Sequence, residues 1–245
     1  MTHGLPFPCC ADSSHSPGVV HRPVPAFAQY ASPNLIEAIA YRGHNPADDP
    51  AWAKTGAPTQ QEYGHWSRHL CGMVCLQMAL VHRDGTAPAL WSLRDGAVGA
   101  GAYQVEGEEI RGLIYRPFAE YAAQVHGMSA VVHRQLSLDD LRTVCDTGRM
   151  VMVSVSKGIR TPEVEPERRG GHLVLVVGVT EAGDVHFNNP SGHTQRTRKA
   201  VLPLGDFERF FGGRGVSLDL RPLSLSTPLM GNAMAESTPG VPPGK

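Results

Sequence analysis

Hydrophobic positions fall into two regimes along this chain. Through the first part they recur at helical spacing; from about residue 150 they become short runs of strand character. The strongest helical stretch covers 70–81. Leu70, Met73, Val74, Met78 and Val81 form one stripe with Gln77, and Cys71, Cys75, Met78 and Ala79 form a second, so the helix is apolar on most faces and expected to be buried on most faces. Asp84-Gly85 ends it. Thr59 with Glu62 has capping-box spacing and predicts a short helix through Trp66 and Ser67. Ser32-Pro33-Asn34 opens another through Ala40, with Ser32 as the cap.

Residues 89–127 read as helical in parts, at 89–100 and at 115–126, where Phe118, Tyr121, Ala122 and Val125 share a face and Gly127 stops the run. Ala130-Val131-Val132 is β-like, and Ser137 caps a helix through Thr147. Strands follow at 151–156, 172–179 and 185–188, with a pairing segment at 195–202, a short helix at 206–211 and a last strand at 216–220. The 172–179 run is continuously apolar, as a central strand requires. Between the first two strands, 157–171 is basic and reads as a solvated flap carrying Arg160, Arg168 and Arg169. Helices first and an antiparallel sheet afterwards predict an α+β fold.

Composition narrows the function classes. Apolar residues at 41 % support a core, and a formal net charge of -1 without a basic run excludes a nucleic-acid footprint. No apolar run approaches the ~20 residues of a membrane span. Residues 1–24 and 223–245 lack periodicity and read as disordered tails around a domain at 25–222. The start has no signal-peptide pattern, so the expected location is cytoplasmic. Five cysteines without a regular framework point to free thiols.

The position of one of these thiols carries chemistry. Cys71 falls at the first turn of the main helix, where unpaired N–H groups and the dipole favour a thiolate. The competing reading is a small core hydrophobe, which is also how Cys75, four residues on, is read. A nucleophilic thiol needs a base. Of twelve histidines, His172 opens the most apolar strand, directly after Gly170-Gly171. His193, in a turn, is a competitor. Asn189 ends the next strand, one hairpin away, at the sheet edge from which it can orient His172.

Together these residues resemble the papain-like cysteine peptidases of the bacteriocin-processing, double-glycine leader type. The matching motifs are Cys71-Gly72 with Leu76, Met78 and Leu80; Gly171-His172 opening a Val/Leu strand to Gly178; and Phe187-Asn188-Asn189-Pro190. The resemblance spans about 60–220. It implies a papain-like fold with a helical half carrying Cys71 and a sheet half carrying His172 and Asn189, as nucleophile, base and orienting amide. It also implies a peptide or small acyl or amide substrate, with no metal or organic cofactor. The family's oxyanion glutamine has no counterpart here, because His65 stands at that position; His65 and Gln61 are the oxyanion candidates. A cyclase or acyltransferase on the same scaffold, and an inactive binding protein, are the alternatives.

Overall fold

The structure, a computed structural model, describes residues 18–21 and 23–221. The tail expectations for 1–17 and from 222 onward lie outside the described residues.

The helical part comprises α1 (Ile36–Tyr41), α2 (Gln60–Trp66), α3 (Cys71–Asp84) and α4 (Leu90–Gly99), then a hairpin of β1 (Tyr103–Glu106) and β2 (Glu109–Gly112), then α5 (Tyr115–His126). The second part comprises β3 (Ala130–His133), α6 (Leu138–Asp146), β4 (Met150–Ser156), β5 (Gly171–Val179), β6 (Asp184–Asn188), α7 (Gln195–Arg198), β7 (Lys199–Pro203), α8 (Leu204–Glu208) and β8 (Phe211–Leu218). The larger sheet has the order β3-β8-β4-β5-β6-β7, and each neighbouring pair is antiparallel. The architecture is α+β.

Caps placed the helices where the sequence predicted. Thr59 accepts from the Glu62 N–H at 3.1 Å, and Ser137 forms a capping box with Asp140. Gly85 and Gly127 close α3 and α5 in the left-handed conformation. The expected Ser32 cap is replaced by a longer-range contact. Ser32 Oγ and N–H both donate to Asp49, which also accepts from the Ala51 N–H and the Tyr63 hydroxyl. A buried carboxylate with four donors outcompetes a local cap.

The sheet core is double-sided. Leu173, Leu175 and Val177 of β5 pack in one cluster with Met73, Leu76 and Leu80 of α3. Val174, Val176 and Val179 pack in the other with Leu141 of α6 and Phe207 of α8. Every residue of β4 is buried, so its alternation does not separate a core face from a wet one. The β1–β2 hairpin is the element that the sequence pattern did not announce. Its pairing is solvent-facing, with only Tyr103 and Ile110 buried, so no apolar alternation marks it.

The chain joins the fold before residue 25. Val20 bridges Gly178, and the His21 N–H donates to the Val177 carbonyl at 2.9 Å. At Gly178 a Cβ would lie 2.1 Å from the Val19 oxygen, so only glycine permits this approach. Among the described residues no helix is long and apolar enough to cross a membrane.

Candidate active site

Cys71 is the first residue of α3. The chain enters through a 3-10 turn, Ser67–His69, and Leu70 supplies no side-chain cap, so the first amides of α3 remain available. Burial pushes the Cys71 thiol up, while the amides of Leu173, Gly72 and Cys71 itself, together with Arg160, pull it back toward thiolate. Gly72 allows the close packing behind this. A Cβ there would sit 2.9 Å from Leu113 Cδ2 and 3.1 Å from Leu173 Cδ1, so a larger residue would have to push these two side chains aside. One turn on, Cys75 is fully buried with its sulfur 3.9 Å from the Leu173 carbonyl, and it belongs to the core.

His172, at the mouth of β5, is 4 % exposed. Gly170 and Gly171 precede it with φ of 94° and 92°, a backbone path that L side chains rarely adopt. His172 Nε2 lies 2.8 Å from Asn189 Oδ1. Asn189 follows the last residue of β6, whose Asn188 pairs with Leu175, so the antiparallel register brings base and amide to one sheet edge. The Ser191 N–H donates to the same Oδ1 at 3.0 Å. That bond fixes which way the amide faces. Oδ1 must accept from Nε2–H, so the tautomer leaves Nδ1 unprotonated. Cys71 and His172 both line a cavity of about 460 Å³, and Asn189 stands behind the ring at 1 % exposure. Burial first, and the Arg160 charge second, push the His172 pKa down to about 3 against the opposing Asn189 bond. Both shifts favour the uncharged forms, thiol and imidazole.

Two residues of this network were not read from the sequence. Ser191 Oγ lies 3.1 Å from both His172 Nε2 and Asn189 Oδ1. Arg160 Nε donates to that hydroxyl at 2.6 Å and Nη1 to the Ala40 carbonyl at 3.3 Å, with the guanidinium 5.6 Å from the Tyr41 ring centroid. Expected on a solvated flap, Arg160 is instead 8 % exposed, because the 3-10 turn Lys157–Arg160 directly after β4 turns it inward. Ser191 was within reach of sequence reasoning: Asn-Pro-Ser is a turn in which an asparagine side chain accepts from the amide two residues on. Arg160 left no such local signal.

His193 is held by the Tyr41 hydroxyl at 3.0 Å and does not line the cavity. His65 lies edge-on to Trp66, half-buried, and Gln61 is exposed; neither lines the cavity. Gln29 is buried and ties the site together from outside the cavity. Its side chain donates to the Ser67 carbonyl and its own N–H to the Pro190 carbonyl, each at 2.8 Å.

No protein-family model matches the chain, and no curated protein matches it. Among solved structures the chain is similar to a double glycine motif protease from an AMS/PCAT transporter, crystallised in complex with the leader peptide. The two share 16 % identity over 60 % of this chain and 82 % of that one, with a TM-score of 0.40. The relation to that protease is a distant structural one.

Proposed function

We propose that the chain is a papain-like cysteine hydrolase that cleaves a peptide or amide bond through Cys71, His172 and Asn189. The observation that carries this is the 2.8 Å bond between His172 Nε2 and Asn189 Oδ1, which leaves Nδ1 as the ring nitrogen to act as base, in a histidine that lines the same cavity as Cys71.

In this mechanism His172 Nδ1 takes the thiol proton as Cys71 Sγ attacks the carbonyl carbon. The oxyanion is met by the Cys71 N–H at the start of α3, since His65 and Gln61 lie outside the cavity. The C–N bond breaks, the amine leaves with the proton from His172, and a thioester remains. Water, deprotonated by the same nitrogen, then releases the acid and restores the thiol. Asn189 is neutral, so it orients the imidazole without a carboxylate's added stabilisation of the imidazolium.

The test is turnover of a fluorogenic peptide library by wild type, Cys71→Ala and His172→Ala, with acylation mapped by mass spectrometry. Acyl-enzyme on Cys71 and loss of turnover in both variants are expected. Labelling that persists in Cys71→Ala would place the nucleophile elsewhere. Added amine separates the reactions, because an amide product formed in preference to the acid identifies an acyltransferase.

A further inference from the structure

The cavity that Cys71 lines has an unusual charge arrangement. The β3–β8 ladder runs from Ala130↔Leu218 to His133↔Gly215; Arg134 follows the last pair on one segment and Arg214 precedes it on the other. The two segments stay together past this point, since the Leu136 N–H donates to the Gly213 carbonyl at 2.8 Å. Two like charges gathered at the end of one ladder repel each other. Both arginines line the cavity that holds Cys71 and His172, and both are exposed. Among the described residues neither is paired with a carboxylate.

No acidic residue lines the cavity, although the whole chain has a net charge of only -1. Its remaining charged residue, Arg116, is engaged by Glu120 at 3.0 Å. Arg214 is also anchored. Its Nη2 would lie 3.0 Å from a Cβ on Gly170, so the guanidinium rests over the backbone two residues before His172, and it sits with Ser154 beside the Tyr115 hydroxyl. A planar guanidinium held this way is a natural partner for a carboxylate.

We infer that Arg134 and Arg214 form a carboxylate subsite beside Cys71, so that the substrate is a peptide bearing a carboxylate close to the bond that is cut. The inference rests on Cys71 as nucleophile and adds the class of substrate. The anion neutralises the two like charges and is drawn in by the field of a one-signed lining. The carboxylate is either an acidic side chain or a free C-terminus.

Two small alkylating agents test it on the full chain. Iodoacetate carries the carboxylate, iodoacetamide does not, and the rate at Cys71 is read by peptide mass mapping. The ratio of the iodoacetate rate to the iodoacetamide rate is expected to be about tenfold higher in wild type than in the Arg134→Gln/Arg214→Gln double variant, and to fall with added salt. An equal ratio in the two proteins, with Cys71 still alkylated, overturns the subsite and leaves the nucleophile standing. A Cys71 inert to both reagents overturns both readings. An amidated pentapeptide with one glutamate, and a neutral pentapeptide with a free C-terminus, are then compared as protectants of Cys71 in the same assay. Whichever slows alkylation names the source of the carboxylate. Protection by neither at millimolar concentration overturns the claim that the carboxylate belongs to a peptide.

Discussion

On the helix side of the cavity, Cys71 is half-buried and its sulfur is served by main-chain amides; on the sheet side, His172 is 4 % exposed and backed by Asn189, Ser191 and Arg160. The first arrangement needs a helix start and the mouth of one strand. The second gathers residues from four places: the turn after β4, the start of β5, the turn after β6 and the carbonyl end of α1. An amide dipole is present whatever the side chain, so the helix side tolerates substitution except at the sulfur. The sheet side is a chain of mutual dependencies, in which each member sets the orientation or charge state of the next.

The contrast is broken most sharply at the sulfur. Cys71→Ala is expected to cut hydrolysis by about 10⁴-fold or more, as removal of a covalent nucleophile does. Cys75→Ala, one turn along the same helix, is expected to leave kcat/KM within about twofold and to lower stability by ~1 kcal/mol, measured by denaturant titration. Equal losses at the two positions would mean that the first turn of α3 has no special chemistry.

On the sheet side, Asn189→Ala is expected to cost about 10²-fold in kcat, because the imidazole loses its orientation. Asn189→Asp puts a negative charge against Nε2. That favours imidazolium, raises the His172 pKa and moves the acid limb of the pH–rate profile to higher pH. A profile that stays in place would separate Asn189 from the base.

Arg160→Met removes a cation that disfavours imidazolium and favours thiolate. Both His172 and Cys71 should titrate at higher pH, with a several-fold loss of rate of about 1 kcal/mol in the barrier. Ser191→Ala keeps the amide bond that fixes Asn189, so its effect is expected to be smaller and its pH profile nearly unchanged. If the two variants shift the profile equally, the field of Arg160 is not what matters.

A separate effect is expected on stability. The folded site holds His172 near pKa 3 against an ordinary 6.5, so between those values the unfolded chain binds a proton that the folded chain refuses. Stability therefore falls as pH drops through this window. His172→Gln should show a shallower decline of Tm with acid, provided the variant folds.

Much of this site was legible from local pattern. The buried helix at Cys71, the apolar strand opened by Gly-Gly-His172 and the Asn189-Pro190 turn are all short-range signals. Two strands joined by a short turn must be antiparallel neighbours, which is why His172 and Asn189 meet. The cap at Thr59 and the stop at Gly85 are equally local. The β1–β2 hairpin escaped because its exposed residues carry no apolar alternation, and Ser32 was misread because a buried Asp49 outbid the helix end for its hydroxyl.

The chain by itself marked most of the helices and strands, though not the β1–β2 hairpin or the helical turn α7 inside the segment expected to pair at 195–202, and it put a thiol, an imidazole and an amide at element ends in an order suited to nucleophilic chemistry. Periodicity, caps and turns are properties of neighbours, and they survive in one dimension. Only the tertiary structure decided that Arg160 points inward to Ser191, that His65 and Gln61 stay outside the cavity, and that Arg134 and Arg214 line the cavity that Cys71 lines. Those outcomes depend on which distant groups are within hydrogen-bond reach and on how much water burial removes. Neither quantity is written in any short window of sequence.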